Sequence, residues 1–371
     1  MTLAEITLYR AELPLTVPYR LSYNSFESFQ PVLVRLRDGD GREGWGEQHI
    51  APGSSAETRE GGWEFLRALA PRLIGETVAA ATARVASLAA RSPVAATALA
   101  TALEMLAGAP VLAAESGFSW PLLAACNATD AEDIYAETER RLAEGYRTFK
   151  IKVGKDVAAD LARLALIQRA VAGRATLRID ANRAFSREQA IAFAEGLEPA
   201  GVELFEQPCA AADWDANAAV AARSPVPLML DEPICTEADI DRAAAIPGVG
   251  LCKLKLKRFG SLARLEAALR RVADHGMTAV LGDGLGAEIN CWMEGSVARR
   301  ALGNTGEFNG YLKIRPEARL LAEPLGFADG RMTVPAGWRP EVDMAKLRRH
   351  CLGELRFAAA SVAAGGRRAA E

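Results

Sequence analysis

Between Thr148 and Gly260 the apolar residues gather in short strand-like runs, and every run closes on charged residues. Thr148–Val153 carries Lys150 and Lys152, Thr176–Asp180 ends in Asp180, and Val202–Glu206 ends in Glu206. Pro227–Asp231 ends in Asp231, and Gly250–Lys255 carries Lys253 and Lys255. Stretches with helical spacing separate the runs, among them Val157–Ala172, Ser186–Leu197 and Ser261–His275. Leu122–Asn127 reads as an earlier strand of the same series, with Asp130 as N-cap of a helix over Glu132–Gly145. Thr278–Gly282 reads as a seventh strand and Gly306–Gly310 as a weaker eighth. Alternating strands and helices predict a parallel sheet, and eight units predict closure into a barrel. The C-terminal ends of barrel strands face one pocket, so the charged ends converge there.

The flanking segments follow other rules. Ile6–Pro14 and Pro31–Arg37 read as antiparallel strands, with a turn at Asp38-Gly-Asp-Gly41 leading into Glu43–Glu47. Tyr19–Ser28, polar and aromatic, reads as a mobile loop. Ala56–Ala114 turns alanine-rich with helical spacing through Trp63, Leu66, Leu69 and Leu73. The expected division is an α+β cap over 1–118, a barrel over 119–328, and a segment over 329–371 that returns to the cap. It includes a basic helix near Lys346–His350 and a disordered tail from Gly365.

Composition narrows the partners. A formal net charge of −3 over 371 residues, with both signs interspersed, carries no nucleic-acid footprint. No apolar run reaches membrane-spanning length, and Met1–Glu12 has no signal-peptide pattern. The cysteines at 126, 209, 235, 252, 291 and 351 contain no C-x-x-C pair and read as buried thiols. A soluble, cytoplasmic homo-oligomer acting on a small molecule is expected, with neither nucleic acid nor membrane as partner.

Asp180, Glu206 and Asp231 come from consecutive strands, offer only oxygen, and have no nearby Cys or His. Such a set suits Mg²⁺, with Mn²⁺ as substitute. Taken singly the acids have ordinary uses: Asp180 and Asp231 could cap helices, and Glu206 could pair with Arg178. Together, at matching ends of adjacent strands, they point to a cation site. Lys150 and Lys152 share one strand face. Two close cations depress each other's pKa, and a lysine so tuned can act as a base. Lys255 stands across the barrel from Lys152, so two lysines could serve opposite faces of one substrate. A Schiff-base enzyme would also use an inward lysine but not the three acids. Trp292 reads as core.

At these residues the chain resembles the enolase superfamily, in its muconate-lactonizing (muconate cycloisomerase) branch. The resemblance rests on Gly44-Trp-Gly-Glu47, Lys150-Ile-Lys152, Asp180-Ala-Asn182, Glu206-Gln-Pro208, Asp231-Glu-Pro233, and Lys255 followed five residues later by Gly260. It implies a modified (β/α)8 barrel under an α+β cap, and Mg²⁺ on Asp180, Glu206 and Asp231. It also implies Lys150, Lys152 and Lys255 as catalytic residues that remove the proton α to a carboxylate, giving a metal-stabilised enolate. The reaction expected first is racemisation or epimerisation of an N-acyl amino acid or dipeptide. The alternatives are muconate-type cycloisomerisation and syn-dehydration of an o-succinylbenzoate-synthase or hydroxy-acid type. Asn182, Glu307, Asn309, Arg20, Tyr23 and Asp283 are the expected substrate contacts, with Phe26 of the Tyr19–Ser28 loop, which closes over the pocket in that family, as a further candidate. A racemase of the mandelate type needs a histidine after the seventh strand, and His275 precedes that strand. Three departures stand out: the second lysine pair at Lys253 and Lys255, the loop over Gly282–Cys291, and Glu307-Phe-Asn309, where the dipeptide epimerases carry Asp-x-Asp.

Overall fold

Residues 1–20, 25–282 and 284–359 are described in the computed structural model, the Arg20 side chain excepted. Five strands open the chain: β1 (Leu3–Ala11), β2 (Leu13–Arg20), β3 (Ser25–Phe29), β4 (Pro31–Asp38) and β5 (Glu43–His49). Helices α1 (Arg59–Leu73), α2 (Val78–Leu88) and α3 (Pro93–Leu106) follow. Thr58 and Thr77 cap α1 and α2 by accepting from Gly61 and Ala80 N–H groups. The apolar stripe of α1 buries Trp63, Leu66, Leu69 and Leu73, as its spacing predicts.

Glycine sets the closeness of α3 to β5. A Cβ on Gly46 would lie 1.9 Å from the Ala98 carbonyl, and one on Gly44 would lie 2.3 Å from that of Ala102. The bare strand and the alanine-rich helix thus meet backbone to backbone. This is a packing reason for the Gly-Trp-Gly spacing that leads to Glu47.

The alternating part comprises β6 (Phe118–Pro121), β7 (Ala124–Cys126), α4 (Ala131–Ala143), β8 (Thr148–Lys152), α5 (Val157–Val171), β9 (Thr176–Asp180) and α6 (Arg187–Glu195). It continues through β10 (Val202–Glu206), α7 (Trp214–Ala221), β11 (Leu228–Leu230), α8 (Glu237–Ala244), β12 (Val249–Leu254), α9 (Leu256–Phe259), α10 (Leu262–Asp274), β13 (Thr278–Leu281) and α11 (Glu288–Ala301). Strands β7 to β13 form one parallel sheet in sequence order. Asp130 caps α4 through the Asp133 N–H, as expected.

The eighth strand is a correction. Gly306–Gly310 forms no strand, because its Gly-rich chain joins both sheet edges with only a few bonds. Glu307 N donates to the Leu281 carbonyl at 2.8 Å, and Leu123 N donates to the Gly306 carbonyl at 3.2 Å. The ring therefore closes through two residues.

The chain ends in β14 (Gly326–Ala328), β15 (Arg331–Val334), α12 (Met344–His350) and β16 (Cys351–Ala358). β16 pairs antiparallel with β1, giving a cap sheet of order β16-β1-β4-β5. The terminal segment returns to the cap as a strand, while the tail from Gly365 lies outside the described residues.

Tyr19–Ser28 also departs from expectation. Tyr19 pairs with Phe26 and Arg20 with Ser25, so its described residues belong to strands β2 and β3, while residues 21–24 lie outside the described residues. Phe26 packs edge-on to His49 with 5.8 Å between ring centroids and is buried in the core. Trp292 is core, packed against Trp338. Four cysteines are buried, but Cys235 is exposed and Cys351 half-buried, each lying at an element boundary. Among the described residues no helix is long and apolar enough to cross a membrane.

Candidate active site

Side chains alternate along a strand, so every second residue of β8 to β12 enters the barrel. Leu204, Met229, Leu251 and Val280 form an apolar plug inside it. Two residues further on stand Glu206, Asp231 and Lys253, and past them Lys255. On β8 and β9 both levels are charged: Lys150 then Lys152, and Arg178 then Asp180. The parallel register sets Lys152 beside Asp180 and Asp180 beside Glu206. The predicted acids and lysines therefore converge.

They do so in two levels. In the deeper one, Lys150 Nζ lies 2.6 Å from Glu206 Oε2 and 2.9 Å from both Asp180 Oδ2 and Glu307 Oε2. Lys253 Nζ lies 3.1 Å from Glu206 Oε1 and also bonds Glu307. The buried Arg178 reaches Glu203 at 2.8 Å and Glu307 at 3.6 Å. Nearer the mouth, Lys152 Nζ lies 2.5 Å from Asp180 Oδ2 and bonds Asn182 Oδ1. Lys255 Nζ lies 2.8 Å from Asp231 Oδ2, and Arg258 binds the other oxygen at 2.9 Å.

Burial and charge compete at each group. Burial opposes ionisation of Asp180, but Lys150, Lys152 and Lys253 hold its carboxyl well below the usual range. Against the same burial, Lys255, Arg258 and Lys253 do likewise for Asp231. Burial and the adjacent Asp180 charge lift Glu206, in spite of Lys150 and Lys253. Glu307 is also buried, yet Lys150, Lys253 and Arg178 draw it down to about 2.

Lys150 is the clearest correction. Its charge was expected to be depressed by Lys152, but its nearest neighbours are three carboxylates. Burial disfavours its ammonium, and Asp180, Glu206 and Glu307 outweigh burial and hold its pKa well above the ordinary lysine value. It stands among three acids and bonds all of them. The separate uses of the acids fail as well. Ser186 and Thr236, not Asp180 and Asp231, cap the helices that follow. Arg178 turns to Glu203 and Glu307, while Glu206 takes Lys150 and Lys253.

Among the expected substrate contacts whose side chains are described, Asn182 bonds the lysine level directly. Its φ of 44° is the left-handed turn that Asn tolerates, and its N–H donates to Asp180 Oδ1 at 2.8 Å. Glu307 and Asn309 are occupied internally: Asn309 donates to the Leu123 carbonyl at 2.9 Å and accepts from Lys313 at 2.7 Å. Tyr23 and Asp283 lie outside the described residues, and Arg20 closes β2. Glu232 turns to Arg183 at 3.0 Å, its carboxyl pushed up to about 7 by burial and the Asp231 charge. His275 sits on Asp241 between α10 and β13, at the far end of the sheet from these groups. Sequence reading missed Arg258, which stands on a one-turn helix without periodic signal. The inward direction of Arg178 is legible in its place two residues before Asp180.

Among the described residues no three His, Cys, Asp or Glu enclose an ion as they stand, because lysines interleave with the acids. The donor set still fits a hard divalent cation. Asp180, Glu206 and Asp231 are at most 2 % exposed, offer only anionic oxygens, and end neighbouring strands. A cation and the lysines compete for the same oxygens.

Family models match on both sides of the cap–barrel boundary. Residues 4–109 match the mandelate racemase / muconate lactonizing enzyme N-terminal domain, and residues 133–340 match the enolase C-terminal domain-like family. The chain is 27% identical over 282 residues to the L-Ala-D/L-Glu epimerase of Bacillus subtilis, covering 72% of this chain and 76% of that one. It is 30% identical over 356 residues to muconate cycloisomerase 1 of Rhodococcus opacus, covering 88% and 91%. The structure of a Cytophaga hutchinsonii dipeptide epimerase, complexed with Mg and D-Ala-L-Val, superposes with a TM-score of 0.86 at 20% identity, covering 96% and 100%. With both halves of the fold matched in order along one chain, this protein belongs to the enolase superfamily, in its mandelate racemase / muconate lactonizing enzyme family.

Proposed function

We propose that this protein is an isomerase that removes and returns the proton α to a carboxylate, with Lys152 and Lys255 as the two proton carriers. Its substrate is an amino-acid derivative, an N-acyl amino acid or a dipeptide, and the reaction is racemisation or epimerisation. The observation that carries this reading is the opposition of the two lysines. They stand on β8 and just after β12, with β9, β10 and β11 and their carboxylates between them.

A substrate carboxylate over the three acids would present its α-carbon between the two ammonium groups. One lysine, in its neutral form, takes the proton from one face, and the other, protonated, returns one to the opposite face. Asp180 and Asn182 orient Lys152, while Asp231 orients Lys255 and is itself braced by Arg258. Below them Lys150, Lys253 and Arg178 offset the charge of Glu206 and Glu307, keeping the acid cluster ionised away from water. Mg²⁺, or Mn²⁺ in its place, would be held by Asp180, Glu206 and Asp231 and would stabilise the negative charge that develops on the substrate carboxylate.

A second reading is muconate-type cycloisomerisation. It is favoured by the long match to the Rhodococcus opacus cycloisomerase and would use one lysine of the same pair. Proton NMR in D₂O with Mg²⁺, on pools of N-acyl amino acids, dipeptides, muconates and hydroxy acids, separates the two. Loss of an α-proton signal with appearance of the inverted isomer supports the first reading. Lactone signals move the assignment to cycloisomerisation, and new olefinic signals from a hydroxy acid move it to dehydration.

A further inference from the structure

Lys255 is followed at once by α9, a single turn that begins with Leu256. The first N–H groups of a helix have no partner within it, and the Lys255 side chain provides no cap. Glu294, on α11, fills that place. Its Oε1 accepts from Leu256 N at 3.3 Å, and its Oε2 accepts from Asn290 Nδ2 at 3.3 Å. Asn290 Oδ1 in turn accepts from Gln48 Nε2 at 2.8 Å. Gln48 belongs to cap strand β5, so a polar chain runs from the cap through α11 to the peptide after Lys255. Gln48, Asn290 and Glu294 are each at most 5 % exposed. Buried polar groups hold a unique geometry only while all their bonds are made.

The opposite side of α9 is tied to the barrel. Arg258 binds Asp231 Oδ1 at 2.9 Å and the Ile234 carbonyl at 3.3 Å. Lys255 therefore stands on a short turn gripped from two sides. Lys152 stands differently, at the end of β8 inside the sheet ladder, and leans on Asp180 and Asn182.

We propose that Glu294 is a positioning residue for Lys255. The chain Gln48–Asn290–Glu294 fixes α9, and with it the point from which Lys255 exchanges a proton, while Lys152 is set independently. This rests on the two-lysine reading above, and its consequence is an asymmetry between the two faces of the substrate. Glu294→Gln is a sharp probe, because both Leu256 N and Asn290 Nδ2 are donors and a glutamine has one acceptor oxygen. The two contacts cannot both persist with the amides of Asn290 and Gln48 as they stand. Gln48→Met removes the donor at the cap end with little change of volume.

The test follows α-proton loss in D₂O with Mg²⁺ for each enantiomer of one exchanging substrate separately. Lys255→Ala identifies the enantiomer that depends on Lys255. Glu294→Gln and Gln48→Met are expected to slow that enantiomer by at least about tenfold and to leave the other within about twofold. Equal losses for both enantiomers, or no loss for either, overturn the proposal, and the unaffected face reports that the variant is folded. Crystal structures of wild type and Glu294→Gln give a readout that needs no turnover. The Lys255–Asp231 contact is expected to break while Lys152–Asp180 persists, and unchanged geometry overturns the proposal. Failure of the two-lysine reading looks different: wild type exchanges neither enantiomer, or Lys255→Ala leaves both exchanging. The crystallographic comparison still decides the positioning role in that case.

Discussion

Lys253 and Lys255 lie two residues apart at the end of β12, yet their ammonium groups serve different carboxylates. Lys253 binds Glu206 and Glu307, whereas Lys255 binds Asp231. Lys253 is 1 % exposed, and its removal takes one cation from two buried acids, leaving Glu206 and Glu307 to Lys150. Lys253→Met is expected to destabilise the fold by about 3–5 kcal/mol, the cost of breaking a buried pair from one side. Lys255→Ala is expected to cost clearly less, since the Lys255 side chain is less deeply buried and has one carboxylate partner instead of two. Urea denaturation of the two variants checks the order, and an equal loss would mean that the two lysines are not separate in role.

Gly46 carries the contact between α3 and β5. A methyl group 1.9 Å from the Ala98 carbonyl cannot be accommodated without moving a backbone. Gly46→Ala is expected to cost on the order of 1–3 kcal/mol or more. Gly39→Ala, in open space on the same sheet's turn, is the control and should stay within about 0.5 kcal/mol. Thermal or chemical melts distinguish the two.

Glu47 gives a pH dependence with a definite sign. Its carboxylate is buried; burial raises its pKa to about 7, against the N–H groups of Ala287, Asn290 and Ile289 that favour the charge. An unfolded Glu titrates near 4.5, so between about 4.5 and 7 the folded state binds more protons than the unfolded one. Stability from this group is therefore full below 4.5 and falls as pH rises towards 7, by up to about 3 kcal/mol. Glu47→Gln should flatten that part of the profile, measured as ΔG of unfolding against pH. A wild-type slope of the opposite sign that vanishes in Glu47→Gln would contradict it.

Binding of Mg²⁺ at the three acids should appear as stabilisation without any substrate. At roughly one hundred times its Kd the ion adds about 2.7 kcal/mol. The shift in melting temperature should be present in wild type and absent in Asp180→Asn and Glu206→Gln. A Mg²⁺ shift that survives both changes would place the ion elsewhere.

Most of this site was legible because a strand has a period of two. Once Asp180, Glu206 and Asp231 close three runs, their inward direction and convergence follow, and Lys152 and Lys255 follow with them. What each charge does was not legible, because that depends on partners far away in sequence. Lys150 reads as a twin of Lys152 until Glu307, 157 residues away, is seen beside it. Strand β16 and the β2–β3 pairing escaped for a related reason. Cys351–Ala358 alternates between half-buried and exposed positions with no fully buried face, and is recruited by pairing with β1. Gly306–Glu307 closes the ring through backbone bonds that no side-chain pattern records.

The most direct test of the two-lysine site is enantiomer-resolved α-proton exchange in Lys152→Ala and Lys255→Ala. With one lysine left, each variant should lose net racemisation but still exchange the proton of one enantiomer, and the two variants should retain opposite ones. Retention of both enantiomers' exchange in either variant, or retention of the same enantiomer in both, would contradict two opposed proton carriers.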